Sequence, residues 1–86
     1  MAVDGFPTYQ YISGTTAAVV SSVPSLLHAV IVEDLDSGTV TIGDGATTIL
    51  VAPAVGAYDF KEVILGSGVK VTTSKNGQAL VIYSTI

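Results

Sequence analysis

Few side chains in this sequence could carry out chemistry, and the single histidine is the first to consider. His28 lies within an apolar run, residues 26–32, in a chain without cysteine. A catalytic or metal-binding histidine needs a carboxylate, a nucleophile or further ligands close in space. No such partner stands at a recognisable spacing. We therefore expect His28 to be a core or interface residue whose ring nitrogens contact backbone groups.

The acidic residues form one cluster, residues 33–36, followed by Asp44. Calcium prefers oxygen ligands from such loops, but the EF-hand pattern fails here. With Asp34 as its first position, the required glycine would be Thr39 and the required bidentate acid would be Gly45. We interpret these acids as turn residues that accept local N–H groups, with a weak calcium site as a minor alternative. The sequence predicts no metal site and no cofactor.

Motifs of the common enzyme classes are missing. The turn Gly66-Ser67-Gly68 is part of neither a Gly-x-Ser-x-Gly elbow nor a phosphate-binding loop. Paired carboxylates could serve glycoside hydrolysis, but nothing in the sequence sets up a pocket that would raise one of their pKa values. We expect a protein that is not an enzyme and has no catalytic residue.

The tyrosines are the remaining candidates for binding. A tyrosine ring can stack on a sugar, because it combines an apolar face with a polar tip. Tyrosine is also enriched at subunit interfaces, and we favour a core or interface role. The four tyrosines are Tyr9, Tyr11, Tyr58 and Tyr83.

The elements that position these residues are short strands. Turn signals separate them every 8–12 residues or so, and no pattern predicts a helix of three turns. Asp44-Gly45 and Asn76-Gly77 predict hairpins, the first within a β-meander, and a shift in alternation predicts a bulge near Lys61-Glu62. We predict an all-β fold: a single small antiparallel β-sandwich, jelly-roll-like, with seven to eight short strands. Residues 1–12 would be an N-terminal arm or first short strand, and residues 13–86 the sandwich domain.

Composition points to association with other chains. Of 86 residues, 49% are apolar and only 12% are charged, about half the usual charged share. The runs 26–32 and 79–83 are apolar on both faces, so each should be covered on both sides. We predict a homotrimer. The predicted interface residues are Phe6, Tyr9, Tyr11, Leu27, Ala29, Ile31, Val81 and Tyr83.

The charge balance disfavours two kinds of partner. Seven acids, three scattered lysines and no arginine give a net charge of −4. Nucleic acids and anionic membranes both bind through clustered basic residues, so neither is expected as a partner. The first seven residues also lack the basic start and apolar segment of a secretory signal. We expect a soluble protein made in a cytoplasm.

Several segments together resemble a family of small β-sandwich proteins of tailed bacteriophages, the head decoration or cement proteins. The segments are LHAVIV at 27–32, GTVTIGDGATTI at 38–49, YDF at 58–60, VKVT at 69–72 and LVIY at 80–83. The likeness covers residues 26–86 well and the first 25 poorly, and the acidic loop at 33–36 departs from it.

The resemblance implies a structural virion protein on the outer surface of the capsid. It would bind the major capsid protein as a homotrimer and stabilise the bacteriophage head, with residues 1–12 reaching neighbouring shell subunits. The alternative is a phage fibre or receptor-binding module that recognises host glycans through its tyrosines.

Overall fold

The computed structural model describes residues 8–14 and 16–86, and within them eight strands and no helix. The number of strands agrees with the seven to eight predicted from the sequence. The bounds are β1 Thr8–Ser13, β2 Thr16–Ser21, β3 Ser25–Asp34, β4 Val40–Asp44, β5 Thr47–Ala52, β6 Gly56–Leu65, β7 Val69–Thr73 and β8 Gln78–Thr85.

The strands form one long antiparallel ribbon that is rolled upon itself. Along the ribbon β4 pairs with β5, β3 with β6, β2 with β7 and β1 with β8. Rolling adds the pairs β3·β8 and β4·β7. The result is a first sheet of order β1-β8-β3-β6 and a second sheet of order β2-β7-β4-β5. The predicted all-β, jelly-roll-like sandwich is therefore confirmed, with eight strands.

The core lies between the two sheets. Because side chains alternate along a strand, every second residue of each central strand points inward. Burying one such aliphatic side chain stabilises the fold by about 1.5–3 kcal/mol before conformational entropy is counted. The fully buried members at the centre are Leu27, Val30 and Val81 from the first sheet and Val40, Ile42, Val69 and Val71 from the second.

The bulge predicted near Lys61-Glu62 is confirmed. Both residues have left-handed backbone angles, with φ of 54° and 62°. On either side of them Val63 pairs with Leu27 and Asp59 pairs with Ala29, so four steps along β6 match two along β3. The bulge shifts the alternation of β6, so that every second side chain after it again points toward the core.

The hairpin predicted at Asn76-Gly77 is wrong. The strands on either side, β7 and β8, belong to different sheets, so this segment crosses the sandwich. Neither residue has a positive φ. The Asn76 N–H donates to the Asp36 carboxylate at 3.2 Å, and a Cβ on Gly77 would lie 3.0 Å from the Asp34 carbonyl oxygen. Close packing against the acidic loop, rather than turn geometry, explains why asparagine and glycine stand at these two positions.

The Asp44-Gly45 hairpin is confirmed, but the meander around it is not. Asp44 pairs with Thr47 across a two-residue loop, and Gly45 has φ of 57°, which suits the first position of a type II′ turn. The segment between β3 and β4 joins different sheets, so these strands do not pair.

At the N-terminal side, the predicted boundary after residue 12 falls inside β1, which pairs with β8. Residues 8–12 therefore belong to the sandwich.

Gly68 allows β2 to approach the turn between β6 and β7 closely. We therefore predict that Gly68→Ala lowers the stability of the fold strongly. Its φ is 103°, and an added Cβ would overlap the Ser21 carbonyl oxygen. We expect a loss of about 2 kcal/mol or more in the free energy of unfolding, measured by urea denaturation. Gly66→Ala is the matched control, since nothing lies within 4 Å of its Cβ position. Equal losses for the two variants would contradict this account.

Candidate interaction surface

The outer face of the first sheet is apolar across all four strands. Residues directly opposite one another in an antiparallel sheet lie on the same face, so the strand register defines rows. One row is Tyr11, Leu80, Ile31 and Ala57, and the next is Tyr9, Ile82, Ala29 and Asp59. A third row contains Ser84, Leu26 and Ile64. We call the apolar members of these rows the apolar face.

The rim of the apolar face is more exposed than its centre. Tyr9 is 66% exposed, Tyr11 49% and Ile64 65%, and all three lie on the outer strands of the sheet. Ile31 and Ile82, on the central strands, are only half-buried although strands flank them on both sides. The sandwich buries the inner face of this sheet and leaves the outer face to solvent or to a partner.

The outer face of the second sheet is different. Its rows, read from the register in the same way, are rich in threonine and include a lysine. The two central rows are Ala17, Thr72, Thr41 and Val51, and Val19, Lys70, Gly43 and Thr48. Val19 and Val51 are exposed on this face, at 63% and 49%, but the hydroxyl and ammonium groups around them are well solvated, so the face is more polar than the apolar face. The contrast marks the apolar face as the candidate interaction surface.

Six of the eight predicted interface residues fall into three groups. Tyr9, Tyr11, Ala29 and Ile31 lie on the apolar face. Tyr83 is half-buried and packs against the core. Phe6 lies outside the described residues.

Two of those predictions are wrong. Leu27 and Val81 are fully buried between the sheets, so neither offers surface to another chain. Alternation alone left the inner and outer faces of β3 and β8 ambiguous, since both faces are apolar. Leu80, Ile82 and Ile64 were missed as surface residues for the same reason, and only the register identifies them.

The bulge in β6 places His28 between side chains rather than backbone groups, so the predicted backbone partners are wrong. Its Nε2 lies 2.8 Å from the Ser84 hydroxyl oxygen, and its Nδ1 lies 3.7 Å from a Glu62 carboxylate oxygen. The set links β8, β3 and β6 across the sheet. A serine nucleophile must be reached by substrate, whereas Ser84 is only 2% exposed. The arrangement is a cross-strand tie at one end of the apolar face.

Asp34 acts in its own turn, as predicted from the sequence, whereas Glu33, Asp36 and Asp44 contact distant segments of the chain, so the local role predicted for them is wrong. Asp34 accepts the Asp36 N–H at 2.9 Å, and Asp44 accepts the Ser67 N–H at 2.7 Å. Glu33 accepts the Tyr11 hydroxyl at 3.2 Å. Desolvation, followed by the negative charge and hydrogen bond of Glu33, raises the pKa of Tyr11 above its usual value of 10. Among residues 8–14 and 16–86, no group of three or more acidic, histidine or cysteine side chains is placed to hold a metal ion.

Comparisons with known proteins gave no match to a protein-family model, to a curated protein or to a solved structure. The resemblance to phage decoration proteins therefore stays a prediction. In the described part of the chain, no helix has the length and hydropathy needed to span a bilayer.

The opposite positions of two neighbouring leucines on β3 give a matched test of the assignment of faces. Leu27→Ala should leave a cavity in the core and lower the free energy of unfolding by about 2–5 kcal/mol. Leu26→Ala, on the half-buried outer face, should lower it by less. Urea denaturation measures both. A larger loss for Leu26→Ala would mean that the faces are assigned the wrong way round.

Proposed function

We propose that this chain is a structural virion protein, a decoration or cement protein that binds and stabilises a bacteriophage head as an oligomer. The observation that supports it best is the apolar face on a sandwich whose opposite face is rich in threonine. The jelly-roll strand order agrees with the family that the sequence resembles. The chemistry of the described residues also agrees, since Glu33, Asp34, Asp36 and Asp44 accept structural hydrogen bonds and His28 is held in a cross-strand tie.

The apolar face supports association through its energetics. Soluble monomers rarely expose large contiguous apolar patches, and those that they do expose are often binding sites. Removing such surface from water stabilises an assembly by about 25 cal/mol for each Å² buried. Three copies that share this face would cover the half-buried centre of each sheet. The homotrimer expected from the sequence fits that requirement.

A protein that holds the subunits of a shell together needs a rigid fold and repeated contacts more than it needs catalytic groups. Several weak contacts made by one oligomer add up, because after the first contact the others form at high effective concentration. Since residues 8–12 are part of the sandwich, the segment that reaches neighbouring shell subunits in this proposal is limited to residues 1–7.

One charged substitution on each outer face tests the oligomer. Ile31 and Thr41 are both half-buried and lie on central strands of the first and second sheets. We expect Ile31→Glu to reduce a trimer to monomers, because it would bury carboxylates at the interface. Thr41→Glu should leave the mass unchanged. Light scattering coupled to size-exclusion chromatography measures both, and dissociation by Thr41→Glu alone would contradict the assignment of the face.

Binding to heads completes the test. Heads of the encoding phage, purified without this protein, should bind the wild type and survive heating better afterwards. A variant lacking residues 2–7 should keep the wild-type oligomer and lose binding to the heads. Heads that bind no wild-type protein would exclude the proposed function.

Glycan recognition is the second candidate, and the exposed pair Tyr9 and Tyr11 favours it. Because these residues are two apart on one strand, their Cα atoms lie roughly 6.4–6.8 Å apart and their side chains share one face. Such a pair could stack on neighbouring sugar rings. If this reading is right, a glycan array should give hits that disappear on Tyr9→Ala and persist on Tyr58→Ala, since Tyr58 instead bonds Ala54 in its own loop. An array without hits would exclude it.

A further inference from the structure

The edges of the two sheets are not equally protected against pairing with another chain. An edge strand exposes unpaired backbone N–H and C=O groups, and bulges or charges commonly prevent other strands from adding to it. In the described part of the chain the four edge strands are β1, β6, β2 and β5.

Three of these edges are irregular. β6 carries the left-handed pair Lys61 and Glu62 in its middle. β2 shifts register between Val19 and Ser21. In β5 the pairing moves from Leu50 to Thr48, which leaves Ile49 as an extra residue. Each irregularity interrupts the row of backbone groups that a further strand would need.

β1 is the exception among the four. All six of its residues pair with β8 in unbroken register, from Thr8 opposite Tyr83 to Ser13 opposite Gln78. The strand, TYQYIS, contains no charge, proline or glycine, and five of its six residues are exposed. It therefore presents a regular and neutral edge of the kind that accepts an added strand.

We propose that this edge pairs with β1 of a second copy of the chain, antiparallel and about a two-fold axis. The strand is complementary to itself when Gln10 lies opposite its counterpart in the partner. In that register Tyr9 faces the partner's Tyr11 and Thr8 faces the partner's Ile12. Residues on the outer face of one copy then lie opposite residues on the outer face of the other, as a continuous sheet requires.

Three properties favour a second copy over a foreign strand. Two neutral strands bring no like charges together. The central glutamines can exchange side-chain hydrogen bonds across the axis, since an amide both donates and accepts. The pairing is isologous, so it closes after one partner and does not extend into a fibre. It joins two first sheets into one of eight strands and makes the apolar face continuous across the pair.

A charge swap at residue 10 tests the pairing. Gln10 is exposed, so Gln10→Lys and Gln10→Glu should both fold, which the thermal unfolding of each variant verifies. Each variant alone places like charges opposite each other at the axis. We expect each to have half the wild-type mass by light scattering, whether the wild type is this dimer alone or two trimers of the proposed function joined by this pairing. An equimolar mixture of the two variants should recover the full mass. Thr47→Lys, an exposed position on β5, is the control and should keep the wild-type mass.

The outcomes separate this inference from the proposed function. A wild-type mass that neither charge at residue 10 changes would overturn the β1 pairing, and so would variants that dissociate but are not restored by mixing. A monomeric wild type that adds a strand from a shell protein instead would also overturn it. A trimer that Ile31→Glu dissociates and Gln10→Lys does not would support the proposed function and reject the two-fold pair.

Discussion

Burial of the two inner sheet faces against each other is the contact on which the rest of this structure depends. A chain of 86 residues has little interior, and neither sheet is stable without the other. Leu27 and Val81 from one sheet and Ile42 and Val71 from the other are fully buried there. Every inner position has to keep its direction for that core to form. The bulges in β6, β2 and β5 interrupt the alternation locally, and they let the inner positions of these strands keep pointing into the core.

The same constraint explains why the outer faces are free to differ. Side chains that point away from the core contribute little to the sandwich, so their chemistry reflects what lies outside it. On the second sheet the outer rows carry threonines and Lys70, which suit water. On the first sheet they carry tyrosine, leucine and isoleucine, which suit another protein surface. This asymmetry is the observation on which the proposed assembly rests.

The histidine shows how strongly local geometry decides the role of a polar residue. Two extra residues in β6 give His28 room to contact Glu62 while its other nitrogen meets the Ser84 hydroxyl. A serine, a histidine and a carboxylate in this order are the components of a hydrolase triad. Here the serine is buried, and the three residues join three neighbouring strands. The chemistry that such a set of residues can carry out therefore depends on access of a substrate to them as well as on the distances between them.

The strands and part of the local turn chemistry could be predicted from the amino-acid sequence, because they depend mainly on neighbouring residues. Alternation located the strands, the parity change before Val63 located the bulge, and Asp34 was recognisable as a turn residue. The pairing of the strands and the face of each strand that points inward depend on contacts between distant residues and could not be predicted in this way. Asn76-Gly77 has hairpin composition but crosses between sheets, because contacts of the acidic loop with Asn76 and Gly77 take precedence over turn preference. Leu27 and Val81 could not be separated from their neighbours by sequence, because a strand that is apolar on both sides gives no sign of which side meets the second sheet.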